Sequence, residues 1–255
     1  LQNAISDLET AKSYIDGGLS SQIQSKIFSS VDLPNSVNAL LARFNLMAGN
    51  YTDALNSAEA VDLSATSNWE YDAAVPNPLA FWFGSQNVTQ ARDLNFGLPD
   101  DLLPDADDER VPFYAEQPEP GNFQLIGFWT DNLNEIPVYL PGEIMLIKAE
   151  AQARNNKLME AVTELDAVLT KTGADDAFGL GANLPEYSGE MTQEAILEEI
   201  YRNRRIELYL TGLSLEDTRR FDRPGEGEPD AERNKDYYPY PNAERDNNSQ
   251  TPDNP

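Results

Sequence analysis

The chain has 255 residues, 40% of them hydrophobic, and a formal charge of −26, so it is long enough for a sizeable packed core but repels phosphate backbones, which excludes nucleic acid as a partner. It contains neither histidine nor cysteine. Ser-His-Asp triads, thiol nucleophiles, disulfides and His or Cys metal sites are therefore excluded, and no apolar run is long enough to span a bilayer.

The chain opens inside an amphipathic helical pattern, with Ile5, Leu8, Ala11, Lys12 and Ile15 at helix spacing. No initiator Met, basic n-region or apolar h-region precedes it, and the chain reads as a fragment whose upstream part is missing. Two segments then repeat each other at a separation of 107 residues. Ala42, Leu46, Gly49, Asn50, Tyr51 and Ala54 correspond to Ala149, Ala153, Asn156, Lys157, Leu158 and Ala161. Each reads as helix, tight turn, helix: alanines allow close approach, Gly49-Asn50 and Asn155-Asn156 tolerate left-handed backbone, and Tyr51 or Leu158 packs over the turn. This is the half-signature of a tetratricopeptide repeat, but the interval is about three times the usual ~34 residues.

Residues 64–141 form the interruption. Their prolines, from Pro76 to Pro141, leave no 3.6 period, which predicts a loop-rich insert with short strands near 123–128 and 136–140. A glycine-containing linker, 173–189, precedes a long helix predicted from an N-cap at Thr192 to a C-cap at Gly212, with Ile196, Ile200, Tyr201 and Leu208 on its buried stripe. On that helix Glu198 and Arg202, and Arg204 and Glu207, are spaced to meet. Arg205 and Glu207 are expected to fix how the helix docks against the tail. That tail, proline-rich and charged, is expected to be ordered but irregular. The organisation is one domain with regions 1–63, 64–141, 142–212 and 213–255.

Glycines 179 and 181 lack the context of a phosphate loop. The acidic run Asp100-Asp101 and Asp105 to Glu109 lacks the glycine and spacing of a calcium loop and reads as solvated. No cofactor and no metal is expected, and carboxylates are too abundant for sequence to single out a glycosidase pair. An acidic surface with six lysines fits a protein that works in brine, where at ~1 M salt the screening length falls to about 3 Å; the alternative is ordinary acidity used for solubility.

Aromatic residues carry the binding signal. Trp69, Trp82 and Trp129 all fall in the insert, with Tyr71, Phe81, Phe83, Phe96, Phe113, Tyr114, Phe123 and Phe128. Flat rings stack on sugar C–H groups while neighbouring amides and charges bond hydroxyls. The candidate ligand residues are Trp82, Trp129, Trp69, Tyr71, Tyr114, Asn87 and Arg92, with Gln86 beside them. The same rings are also what a proline-rich insert would bury to become ordered.

Several segments in order resemble the SusD/RagB family: Leu8-Glu-Thr-Ala11, Gly49-Asn-Tyr-Thr-Asp-Ala54, Asp108-Glu-Arg110, Pro141 to Ala151, Asn203-Arg-Arg-Ile-Glu-Leu208 and Tyr238-Pro-Tyr-Pro-Asn-Ala-Glu244. Asn203 stands where the family usually has Glu, Leu213-Ser-Leu215 replaces a basic or aromatic run, and the Gly-aromatic after Asn-Pro is absent. The resemblance implies a mostly α, SusD-like fold of tetratricopeptide-like helix pairs with a loop-rich insert and irregular tail. It also implies a non-catalytic glycan-binding lipoprotein at the outer-membrane surface, anchored by a lipid outside this chain. Such a protein is a lid on a SusC-like TonB-dependent transporter. The rivals are a helical-repeat adaptor that grips a protein or peptide in its groove, and a carbohydrate-active enzyme.

Overall fold

A computed structural model describes residues 1–82, 90–128 and 130–252. The architecture is mostly helical, and chain contacts divide it into two units, Leu1–Tyr209 and Leu210–Pro255.

The first unit is built on two helix hairpins. Helix α1 (Gln2–Asp16) packs through Ile5 and Leu8 on α3 (Leu33–Met47), with the one-turn α2 (Ser21–Gln24) between them. Asp32 caps α3 by accepting the Asn35 amide at 3.0 Å, and Pro34 occupies the first turn, where its missing N–H costs nothing. Helix α4 (Tyr51–Glu59) returns against α3. The second hairpin is α7 (Pro141–Arg154) and α8 (Leu158–Leu169).

The sequence repeat is reproduced bond for bond. Asn50 N–H donates to the Asn45 carbonyl and Gly49 N–H to that of Leu46; 107 residues on, Lys157 donates to Gln152 and Asn156 to Ala153. Gly49 has φ +77° and Asn156 φ +59°, the left-handed backbone that Gly adopts without penalty and Asn tolerates. Ala42, Ala54, Ala149 and Ala161 are fully buried. The hairpins meet in a core of Ala39, Leu46, Ala58, Val138, Tyr139, Ile144 and Ile147. Arg43 on α3 clamps Glu143 in the first turn of α7, with Nε and Nη2 at 2.6 and 2.8 Å from its oxygens, and also donates to the Val138 carbonyl.

Helix α9 (Gln193–Glu207) packs on α7, with Thr192 accepting the Ala195 amide and Ile196, Ile200, Tyr201 and Leu208 buried as expected. It stops at Glu207, short of Gly212. The Tyr114 hydroxyl takes the Glu207 carbonyl at 2.7 Å, and Leu210 enters left-handed backbone at φ +60°, before the glycine is reached.

Between the hairpins lies the insert. It contains β1 (Asn68–Trp69), the short helices α5 (Pro78–Ala80) and α6 (Arg110–Tyr114), then β2 (Ala115–Glu119), β3 (Asn122–Leu125) and β4 (Ile136–Pro137). Strands β2 and β3 form an antiparallel hairpin, while β1 pairs antiparallel with β4, Asn68 opposite Pro137 and Trp69 opposite Ile136. The expected strands near 123–128 and 136–140 are β3 and β4. Their partners β1 and β2 and the helix α6 were not foreseen.

The second unit holds α10 (Ser214–Arg220) and α11 (Asn242–Asn247). Arg219 lies 4.4 Å over the Tyr237 ring, Arg223 pairs with Glu232 at 2.5 Å, and Arg233 pairs with Asp236 at 2.8 Å. These contacts give order to a segment with little regular structure.

Candidate functional site: an aromatic ledge on the insert

The insert's rings fall into two sets. One packs together around the buried Phe96 and Tyr114: Phe96 stacks on Tyr209 at 4.2 Å, Tyr114 meets Phe113 edge-on at 5.0 Å, and Phe128 lies edge-on to Phe113 and Phe178. Tyr114, expected among the ligand residues, is 0% exposed. This corrects that expectation: the ring is walled in by aromatics and its hydroxyl is spent on the Glu207 carbonyl. Burial, together with the Glu207 charge, pushes its pKa well above the usual tyrosine value.

The other set is outward. Trp69 is 54% exposed, Trp82 49% and Phe81 41%, and Phe81 and Trp82 sit edge-on at 5.5 Å. Their carrier segments are fastened to one stretch of chain, 128–137. Asn77, itself buried, donates its amide to the Asn132 carbonyl at 2.7 Å and its side-chain NH₂ to the carbonyls of Phe128 and Asn134. Its Oδ1 accepts the amides of Leu79 and Ala80, starting the turn that presents Phe81 and Trp82. Trp69 is held to the same stretch by the β1–β4 pairing, reinforced by Asn68 Nδ2 on Glu135 at 2.6 Å.

A third segment joins from before α3. Asn68 N–H donates to the Ser30 carbonyl at 2.9 Å, and Ser30 Oγ donates back to the Asn68 carbonyl. Two residues earlier, Phe28 is 67% exposed. Phe28 precedes the insert in sequence, and the backbone bond between Asn68 and Ser30 is what brings its segment to β1.

The base of the ledge is tied together by hydrogen bonds. Ser67 is fully buried, accepts the Asp32 amide, shares a 2.7 Å hydrogen bond with Ser36, and takes the Val138 amide on its carbonyl. Tyr139 donates to the Ala65 carbonyl, and burial, with Asp32 and Asp62 nearby, raises its pKa to about 12. Of the remaining candidates, Tyr71 is half-buried, and Arg92 is exposed and paired with Asp93 at 2.8 Å. Trp129, Asn87 and Gln86 lie outside the described residues.

A separate cluster of charges is sealed inside the first unit. Arg110 is gripped by Asp108 at 2.7 Å and reaches Asn203 and Glu207; Lys171 reaches Asp176 at 2.6 Å and Glu207 at 2.8 Å. Burial works against the Lys171 ammonium, but Glu207 and Asp176 outweigh it and raise its pKa, and Arg110 behaves likewise through Asp108 and Glu207. Asp108 is therefore buried, not solvated as its acidic run suggested. Glu207 holds α9 to α6 and the end of α8, and Arg205 donates to the carbonyls of Phe96 and Gly97, so both side chains reach parts of the chain other than the tail they were expected to dock. Arg202 meets Glu199 and Asp105. Arg110, Lys171, Asp108, Asp176 and Glu207 are all buried and spent on one another, which makes them a structural lock. Among the described residues no group of His, Cys, Asp and Glu is placed to hold a metal ion, and no helix is long and apolar enough to cross a membrane.

The SusD family model (SusD_RagB) matches residues 130–255. These residues belong to the SusD family. Solved structures extend the likeness of fold to the rest of the chain. A SusD-like carbohydrate binding protein from Bacteroides vulgatus superposes with TM-score 0.57 at 21% identity, over 86% of this chain and 50% of its own. A putative sugar binding protein from the same organism gives TM-score 0.61 at 17% identity, over 98% of this chain and 64% of its own. A SusD superfamily protein from Bacteroides fragilis gives 0.55 at 18% identity, over 80% and 52%. The chain thus spans between half and somewhat under two thirds of the length of these solved structures. No curated protein matches it.

Proposed function

We propose that this SusD-family chain binds an oligosaccharide, without chemistry, on the ledge formed by Trp69, Phe81 and Trp82, with Phe28 beside it. The observation that carries the reading is the division of the insert's aromatics: Phe96, Phe113, Tyr114 and Phe128 pack together, whereas both described indoles stay about half exposed on segments pinned to 128–137. An exposed ring costs the fold apolar burial, so holding two indoles outward on a hydrogen-bonded base fits a stacking surface better than a core. Tyr71, Arg92, Asn87 and Trp129 are proposed as its further contacts. The whole protein would act at the outer-membrane surface, anchored by a lipid outside this chain, as a lid that passes glycan to a TonB-dependent transporter; membership of the family supports that part.

The test is a glycan array read with the wild-type chain and with Trp69→Ala and Trp82→Ala. Retained binding in both variants, with unchanged circular dichroism, would dismiss the ledge.

A further inference from the structure

Resting on the ledge reading, we infer that the site selects by charge, accepting neutral or amino-bearing glycans and rejecting those with uronate or sulfate groups. Between residues 64 and 141 the chain carries thirteen carboxylates, no lysine and two arginines. Arg110 is fully buried against Asp108 and Glu207, and Arg92, exposed, already carries the Asp93 carboxylate at 2.8 Å. Arg43, which approaches β4 at the Val138 carbonyl, is clamped by Glu143.

Around the rings themselves the charges are negative. Glu70 follows Trp69 and is exposed; Glu135, bonded to Asn68, precedes the residue paired with Trp69; Asp72 and Asp131 stand in the adjoining turns. Lys26, exposed four residues before Ser30, is the cation that this part of the surface offers against them. A sugar acid stacked on Trp69 or Trp82 would meet an excess of like charge, with Arg92 already shared with Asp93 and Lys26 the cation left to offset it, the arrangement by which a surface disfavours wrong partners. A protonated amino sugar would gain from the same field.

The probes are an array of neutral cello-, xylo-, manno- and malto-oligosaccharides, chitosan oligomers, oligogalacturonate and sulfated galactan, read at about 0.15 M and about 1 M NaCl, where the screening lengths are about 8 and 3 Å. Anionic probes are expected to bind at least about tenfold more weakly than neutral ones at the lower salt, with the gap shrinking at the higher. The Glu70→Lys variant should narrow the gap at the lower salt without loss of neutral binding. Anionic probes binding as well as neutral ones, or a gap indifferent to both salt and Glu70→Lys, would overturn the inference and leave the ledge standing. A folded chain that binds no probe at either salt would remove the ledge and the inference together.

Discussion

Glu207 Oε2 lies 3.2 Å from Arg110 Nη1, two side chains 97 residues apart and both without solvent exposure. Its other oxygen holds Lys171 at 2.8 Å. One carboxylate thus bridges two buried cations, each of which also holds a carboxylate of its own, Asp108 and Asp176, and removing its charge leaves each with one partner instead of two. Glu207→Gln is expected to cost about 1–3 kcal/mol, read as a lowered urea midpoint with unchanged slope.

Gly142, in the first turn of α7, faces the same carboxylate. A Cβ there would stand 1.8 Å from Glu207 Oε1. Gly142→Ala should therefore destabilise by about 1–3 kcal/mol or more despite alanine's better helix propensity, and the double variant with Glu207→Gln should cost less than the sum of the two.

The Asn77 side chain bonds four backbone groups and is buried, yet its neighbours Phe81 and Trp82 are the proposed ligand surface. Asn77→Ala should cost about 1–3 kcal/mol and weaken glycan binding by releasing the turn from 128–134. Calorimetry on the folded variant checks both; undiminished affinity would mean that the turn is held by other means.

Tyr139 bears on stability at high pH. Its pKa is raised from 10.0 to about 12 in the fold, so its neutral form is favoured by folding. The stability it contributes is complete below pH 10 and is lost as pH rises through about 12. Tyr139→Phe should flatten part of that alkaline decline in a denaturation series, at a cost of about 1 kcal/mol at neutral pH for the lost bond to Ala65.

The charge of −26 implies self-repulsion that salt relieves. The melting temperature should rise between low and about 1 M NaCl, and a flat response would mean that the acidity serves solubility alone.

Local chemistry explains what was readable. Gly49 and Asn156, with alanines at matching positions, announce the two turns because each residue answers a need of its own backbone. Trp69 and Trp82 were singled out by type, but type alone did not separate them from Tyr114; what separates them is that Tyr114 follows α6 into contact with α9, nearly a hundred residues away. Gly212 looked like a helix end for a sound reason, and was overruled by Leu210 and by the hydroxyl of Tyr114. Asp108 was indistinguishable from its acidic neighbours until Arg110 folded back on it.

The pairing of Trp69 with Ile136 brings the two ends of the insert to neighbouring-strand distance, about 4.8 Å, while Arg43 and Glu143 bolt the helices outside it. Between those ends Phe96, Gly97, Arg110 and Tyr114 are tied to α9, so what can be exchanged without asking the helices to move is the stretch that bears Phe81 and Trp82. A ligand preference in such a molecule is transplantable in part: residues 70–82 of one relative, spliced onto the scaffold of another, should shift the sugar it prefers.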